Sequence, residues 1–279
     1  MKKRVIVIAG PTASGKSALA VQEALRLGTE VIGADSRQVY CGMPIITAVP
    51  TQEERRGVPH RLVETLDLHD YCSAATWCDM ALEEIAGVLS TRDEAVVCGG
   101  SMLYIDALTR GLDDLPTVPD HIRAETKAEY AAKGLEWAQA ELRHLDPEYY
   151  AQVDLKNPKR LVHAIELIRT AGRPYSQMRR GVRAERPFDM ELRLLQPDRQ
   201  ELFERINART EAMMAAGALD EARRLYPLRH LNSLNTVGAK ELFAHLDGRM
   251  SLDEAVARIQ KNTRVYAKKQ LLWVRHRQS

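Results

Sequence analysis

The sequence contains no apolar run near the ~20 residues that cross a bilayer as a helix, so no membrane span is expected. Cysteine is scarce. Cys41, Cys72, Cys78 and Cys98 show no CxxC spacing, which argues against structural zinc and against a disulfide framework. Buried free thiols in a reducing cytoplasm are the expectation. Charge of one sign is lacking too: a formal net charge of +2 in 279 residues neither establishes nor excludes a nucleic-acid partner, so the distribution of charge carries more than its total. The apolar stretch Val5–Ala9 is too short for a signal peptide and runs straight into a glycine-rich loop, so it reads as a first strand. There is no internal repeat and no low-complexity tract. What is present, 45% hydrophobic and 28% charged residues, is the composition of a globular protein with a sizeable core, either one large domain or one with a smaller appendage.

Strand and helix patterns alternate in the N-terminal part. Val5–Ala9 is followed by a helical pattern over Lys16–Leu27 and a strand over Glu30–Ala34, and a helical pattern at Leu82–Leu89 leads to a strand at Ala95–Cys98. This predicts an α/β fold, a mostly parallel sheet with helices on both faces. The punctuation Leu115-Pro116-Thr117-Val118-Pro119 introduces helical patterns at 120–144 and 158–171. An inserted small helical subdomain is therefore expected over 113–195, with a core domain of 1–112 and 196–279. Glu191–Leu195 has strand character, and amphipathic helices are expected at about 198–227, 235–246 and 251–276. Residues 258–277 carry Arg258, Lys261, Arg264, Lys268, Lys269, Arg275 and Arg277 with no acidic residue. On a helix, Lys261, Arg264, Lys268 and Arg275 share one face; Ile259, Thr263, Tyr266, Gln270 and Trp273 share another, which is expected to pack inward.

The strongest motif is Gly10-Pro11-Thr12-Ala13-Ser14-Gly15-Lys16-Ser17, which fits G-x-x-x-x-G-K-[ST] between a predicted strand and a predicted helix. This P-loop, common in ATP-binding and other nucleotide-binding proteins, makes the expected fold P-loop NTPase-like. Its backbone N–H groups cradle phosphate oxygens, Lys16 reaches the outer phosphates, and the Ser17 hydroxyl is the candidate magnesium ligand. P-loop hydrolases also carry an Asp at the end of an apolar strand. Here Ala95–Cys98 runs instead into Gly99-Gly100-Ser101, which makes nucleotide hydrolysis a poor fit. An acid appears at Asp35, after the second predicted strand, where a doubly wound sheet binds its ligands. A general base and an Asx turn or helix cap are both open for it on spacing alone.

Several ordered motifs together resemble the bacterial tRNA dimethylallyltransferase (tRNA isopentenyltransferase) family. They are GPTASGKS at 10–17, DSRQVY at 35–40, VPH at 58–60, GGSMLYIDAL at 99–108, Arg205-Ile-Asn-Ala-Arg209 before Met213, GALDEA at 217–222, VGAKEL at 237–242 and TRVYAKKQLLW at 263–273. The resemblance implies transfer of a dimethylallyl group from dimethylallyl diphosphate to the exocyclic amine of the adenosine 3′-adjacent to the anticodon, with the tRNA anticodon stem-loop as partner, and Mg2+ as cofactor. On that pattern Asp35 takes the amine proton. Residues 10–17 hold the diphosphate, Arg209 and Ser101 neutralise its growing charge, and Asp35, Ser36, Arg37 and Gln38 meet the target base. Lys159, Arg160 and His163 occupy the family's Gln-Arg-x-x-Arg segment with two of its three polar residues changed, and Arg264 and Lys268 on the basic helix are expected to follow tRNA phosphates. A second departure lies at 42–49, where a GMDIGTAK-like run is replaced by Gly-Met-Pro-Ile-Ile-Thr-Ala-Val, so that Pro44, Ile46 and Val49 stand for an acid, a glycine and a lysine. His60 matches a family histidine without a second ligand at metal spacing, which favours a structural role. No feature calls for an obligate protein partner. The competing functions are an adenylate isopentenyltransferase acting on free AMP, ADP or ATP, a small-molecule P-loop kinase, and a non-catalytic RNA-binding module. The insertion speaks against the first, the C-terminal tail against the second, and the joint presence of Lys16, Ser17 and Asp35 against the third.

Overall fold

The structure is a computed structural model and describes residues 3–113, 115–179 and 184–278. Contacts divide the chain into two units, Arg110–Ala184 and the remainder. The larger unit opens with β1 (Arg4–Ala9), α1 (Lys16–Leu27), β2 (Val31–Gly33), α2 (Pro44–Thr47), α3 (Gln52–Arg55), β3 (His60–Arg61), α4 (Ala74–Thr91), β4 (Glu94–Gly99) and α5 (Met102–Arg110). The smaller unit follows with α6 (Asp120–Leu145), α7 (Pro147–Tyr150), α8 (Pro158–Ala171) and α9 (Tyr175–Met178). The chain then rejoins the first unit through β5 (Asp189–Leu194), α10 (Arg199–Ala215), α11 (Ala218–Leu225), α12 (Ala239–Leu246) and α13 (Leu252–Gln278).

The five strands form one parallel sheet in the order β3-β2-β4-β1-β5. β1 reads as an unbroken apolar run because both its faces are covered: Val5, Val7 and Ala9 pack with α4 and α5, whereas Ile6 and Ile8 pack with α1. Expected strands at 5–9, 30–34, 95–98 and 191–195 all appear within a residue or two. β3 was not expected, since two residues, His60 and Arg61, carry no strand periodicity and form a strand by pairing with Val31 and Ile32. His60 is structural as read: its Nδ1 donates to the Val58 carbonyl at 2.9 Å, and burial lowers its pKa. Of the four thiols, Cys78 and Cys98 are buried as expected, but Cys41 is exposed.

The single helix expected at 198–227 is two. Gly217 adopts φ 97, a left-handed value that ends α10 and starts α11. The break lets Ala218 and Ala222 of α11 turn onto Val39, Tyr40 and Met43, forming a second apolar core with Leu242, Phe243 and Ile259. The insertion also has different bounds from the expected 113–195. β5 pairs along all of β1, from Arg4↔Asp189 to Ala9↔Leu194, and this ladder draws residues 185–195 into the larger unit. Within the smaller unit, Ala138 and Leu142 of α6 pack on Leu161, Ala164 and Ile165 of α8, and Arg169 donates to Glu129 and Glu141 at 2.9 Å each.

Trp77 on α4 fixes the sheet end that carries the site. It is fully buried, stacks on Tyr104 at 4.6 Å, and donates its indole N–H to the Gly33 carbonyl at 3.0 Å. Trp77→Ala should cost about 3–5 kcal/mol of stability. Trp77→Phe keeps a ring against Tyr104 and should cost about 1–3 kcal/mol, mainly for the stranded carbonyl. Denaturant unfolding of the two variants checks this order.

Candidate active site at the P-loop

Between β1 and α1 the chain turns through Ala13 (φ 61) and Gly15 (φ 85). Alternating right- and left-handed residues of this kind form a concave nest in which N–H groups converge on an anion. Space is tight at Gly10, at the start of the turn, where a Cβ would lie 3.0 Å from Leu195 and 3.2 Å from Ser14 Oγ. The Pro11 carbonyl accepts from Ser14 N at 3.2 Å and from Lys16 Nζ at 3.1 Å. Ser14 Oγ is buried and has no hydrogen-bond partner, which leaves a donor for a phosphate oxygen. Burial lowers the Lys16 pKa, against the opposing pull of Cys98 and Asp35. An anion in the nest would restore the favourable charge state.

Thr12 is held from two sides. Its N–H donates to Gln270 Oε1 at 2.9 Å, and its hydroxyl accepts from Arg209 Nη1 at 3.1 Å. Gln270, itself 2% exposed, donates Nε2 to the Gly100 carbonyl at 2.7 Å. Gly99 must lack a Cβ, which would lie 1.9 Å from the Ala34 carbonyl oxygen, and a Cβ at Gly100 would lie 2.6 Å from Gln270 Nε2 and displace that amide. Ser101, expected beside the diphosphate, lines neither cavity described below. Its hydroxyl accepts from Ser36 N at 2.7 Å and so braces the loop that carries Asp35.

Asp35 uses one carboxylate oxygen for the turn foreseen as the bland alternative. Oδ1 accepts from Arg37 N at 2.9 Å and from Gln38 N at 3.4 Å. Both bonds end on Oδ1, so the turn does not engage Oδ2. The side chains of Arg37 and Gln38 are committed to backbone: Arg37 Nη1 donates to the Asn232 and Ser233 carbonyls at 2.9 and 3.0 Å, and Gln38 Nε2 to those of Thr47 and Ala48 at 3.0 and 2.8 Å.

Two cavities meet here. The first, ≈ 320 Å³, is bounded by Thr12, Lys16, Asp35, Ser36, Arg209 and Tyr266 on its polar side and has an apolar wall of Ile46, Ile206, Met213, Val237 and Ile259. The second, ≈ 750 Å³, opens over Ser14, Gly15, Lys16 and Ser17, with Val49 and Arg55 on its far side. Lys16, Ala48, Arg209 and Met213 border both. The two cavities are thus neighbours, one over the phosphate nest and one with an apolar wall, and Arg209 stands between them. Burial lowers the Arg209 pKa, while Asp35 and Glu54 favour its charged form.

The departure at 42–49 is part of this wall. Pro44 opens α2, and the fully buried Glu221 accepts from Ile45 N at 3.1 Å and Ile46 N at 2.8 Å. Ile46 faces Gly238, where any Cβ would lie 2.9 Å from Ile46 Cγ2. Sequence reasoning missed Gln270, Tyr266 and Glu221 as site-forming residues. Polar groups interrupting the apolar stripe Ile259, Thr263, Tyr266, Gln270 were the available signal, because that face of α13 lines the first cavity.

The remaining candidates stand elsewhere. Lys159, Arg160 and His163 are exposed on the first turns of α8 in the smaller unit, with His163 Nδ1 3.6 Å from Glu166. On α13, Arg264 donates to Asn207 and Lys268 lies 5.5 Å over the Phe203 ring, so both contribute to packing α13 on α10. No group of three His, Cys, Asp or Glu that could close round a metal occurs among the described residues. Ser17 is exposed on the second cavity. A lone hydroxyl beside a phosphate nest fits magnesium, which keeps several waters and shares substrate phosphate oxygens.

The sequence pattern of the IPP transferase family matches residues 38–277. The chain belongs to the IPP transferase family. The transferase is 48% identical over 269 residues to tRNA dimethylallyltransferase 1 of Porphyromonas gingivalis, covering 96% of this chain and 90% of that one. It is 46% identical over 273 residues to tRNA dimethylallyltransferase 1 of Phocaeicola vulgatus, covering 98% and 91%. Among solved structures it resembles the full-length tRNA isopentenylpyrophosphate transferase of Bacillus halodurans, with TM-score 0.70, 34% identity, and coverage of 98% and 87%. It also resembles a eukaryotic dimethylallyltransferase acting on tRNA, with TM-score 0.83, 26% identity, and coverage of 98% and 70%. The transferase thus has the P-loop NTPase-like fold of these neighbours.

Lys16→Met keeps the side-chain stem and removes the ammonium. Because burial disfavours that charge in the free protein, the melting temperature should stay level or rise. Affinity for a diphosphate ligand should fall roughly 10–100-fold, the worth of a hydrogen bond to a charged group. Raising the pH of the parent protein through the lowered Lys16 pKa toward 10.5 should weaken the ligand in the same sense, since the neutral amine loses the attraction. Calorimetric titration with inorganic diphosphate and a thermal melt test both statements.

Proposed function

We propose that this transferase moves the dimethylallyl group of dimethylallyl diphosphate onto the exocyclic amine of the adenosine 3′-adjacent to the anticodon of tRNA. The observation that carries the reading is that Lys16 and Arg209 border both the cavity over the phosphate nest and the cavity lined by Asp35. Relatives named tRNA dimethylallyltransferase over nearly the whole chain support the substrate class. They disfavour a free-nucleotide acceptor and a kinase. The compartment we assign is the cytoplasm, where tRNA is found.

On this reading the diphosphate lies against the N–H groups of residues 13–17, Ser14 Oγ and Lys16, and the five-carbon tail lies along the apolar wall. A base that leaves the anticodon stack presents its amine beside Asp35. The amine nitrogen forms a bond to the allylic carbon as the carbon–oxygen bond to diphosphate breaks. The bonding electrons leave with the diphosphate, and the amine proton passes to Asp35 Oδ2. Arg209 and Lys16 face the charge that grows on the leaving oxygen, so they stabilise the transition state more than the ground state. Magnesium, held by the Ser17 hydroxyl and diphosphate oxygens, would supply further positive charge there. Ser101 acts through Ser36 as a positioning residue. Exposed Lys159, Arg160 and His163 on the inserted helical unit, with Arg264 and Lys268 on α13, supply the phosphate contacts to tRNA.

Asp35→Asn retains the Oδ1 acceptor for Arg37 N and Gln38 N, so stability should barely move. Turnover should fall about 10²–10⁴-fold, the usual contribution of a general base. Single-turnover transfer at saturating donor and tRNA, beside a melt, decides it; turnover within about threefold of the parent, far below that range, would remove Asp35 from the role. Charge reversal at Arg264 and Lys268 should raise the KM for tRNA and flatten its salt dependence by roughly one unit of slope per lost phosphate contact. An unchanged slope would assign both residues to packing on α10 alone.

A further inference from the structure

The first cavity contains one aromatic side chain among its described lining residues, Tyr266 of α13. The residue is 39% exposed, unlike the buried aromatics of the cores. Ile259, Thr263, Tyr266 and Gln270 all line the same cavity, so one stripe of α13, spaced by four, three and four residues, faces it. Gln270 lies one helical turn beyond Tyr266 and is tied to Thr12 N and the Gly100 carbonyl. That tie fixes the register of α13 against the P-loop and leaves the ring little freedom along the helix axis. Tyr266 borders the cavity of Asp35 and is absent from the wall of the cavity that opens over Ser14 and Ser17. Burial of the hydroxyl end, with a smaller push from the Asp35 charge, raises the hydroxyl pKa to about 12, so the group in the cavity is a neutral ring with its proton in place.

We infer that Tyr266 is a positioning residue for the acceptor, the ring against which the purine stacks while its amine faces Asp35. This rests on the proposed tRNA reaction. A base taken out of the anticodon loop loses its stacking partners, and an exposed aromatic face at the cavity restores one. Stacking accepts any base, and selection then falls to the polar groups around it. An apolar tail has no need of an exposed ring, because Ile46, Ile206, Met213, Val237 and Ile259 already provide an apolar wall.

Tyr266→Phe and Tyr266→Leu separate ring from hydroxyl. With an anticodon stem-loop RNA and dimethylallyl diphosphate, Tyr266→Leu should raise the acceptor KM roughly tenfold or more, the worth of one stacked base, with the donor KM unchanged. Tyr266→Phe should stay near the parent. A melt of each variant reports folding. The same RNA with 2-aminopurine at the target position gives a readout that needs no transfer: emission should be quenched on the parent and Tyr266→Phe proteins and remain bright on Tyr266→Leu. An unaltered acceptor KM in Tyr266→Leu, a loss of kcat alone, or equal damage from Phe and Leu would overturn the inference. The first outcome would mean no contact, the second a ring facing the allylic carbon, and the third a role for the hydroxyl. If the parent transfers nothing to the RNA yet quenches the probe, the stacking stands and the proposed reaction falls.

Discussion

The amide of Gln270 is the constraint on which the site depends. It is buried, and it satisfies one backbone donor, Thr12 N, and one backbone acceptor, the Gly100 carbonyl. These two groups lie at the carboxyl ends of adjacent parallel strands, and a helix near the end of the chain joins them. A buried amide whose oxygen and nitrogen are both used is worth keeping, because losing it would strand polar groups in the interior. The bond at Gly100 is possible only without a Cβ there, so the Gly99-Gly100 pair at the end of β4 and the Gln at the middle of α13 are parts of one arrangement. From it follow the position of Thr12, which Arg209 then contacts, and the stripe of α13 that lines the first cavity.

The parts of the fold that were legible in the sequence are those with a local cause. β1 and β4 are apolar runs covered on both faces, and the P-loop has glycines where its backbone turns and a lysine at its end. Long-range causes were not legible. The two-residue β3 exists because β2 offers it a partner, and residues 185–195 belong to the sheet because β5 pairs with β1. A pattern read along the chain sees neither neighbour. The helix break at Gly217 was present as a residue type, but a single glycine in an amphipathic stretch does not by itself reveal a left-handed φ.

At the site, motif, spacing and resemblance named Lys16, Asp35 and Arg209, and all three line one cavity. They left the division of labour within the segment Asp35–Gln38 unresolved. Arg37 and Gln38 donate from their side chains to the Asn232, Ser233, Thr47 and Ala48 carbonyls, and the Ser101 hydroxyl accepts from Ser36 N. Residues that a motif reads as contacts to a ligand can thus be the supports that hold a neighbour in place. The same holds for α13, where an apolar stripe marks burial but cannot say whether what covers it is protein or a cavity.

The missing acid at the end of β4 has a physical account on the proposed reaction. In a hydrolase the phosphoryl group itself is transferred, and an acid there helps hold the metal that neutralises the reacting phosphate. Here the phosphate end is only a leaving group, and the bond that breaks lies between oxygen and carbon. The nest needs to hold the diphosphate while charge accumulates, which Lys16 and Arg209 favour and a carboxylate beside them would oppose. A carboxylate is useful instead where the proton is lost. Asp35 stands at the end of β2, separated from β1 by β4, so the acid lies two strands from the nest and still shares a cavity with Thr12, Lys16 and Arg209. Its two oxygens serve different ends, with Oδ1 taken by the turn that fixes the side chain and Oδ2 not engaged by that turn. An Asx turn and a general base are therefore compatible in one residue, because the hydrogen bonds that orient the carboxylate leave the second oxygen for the proton.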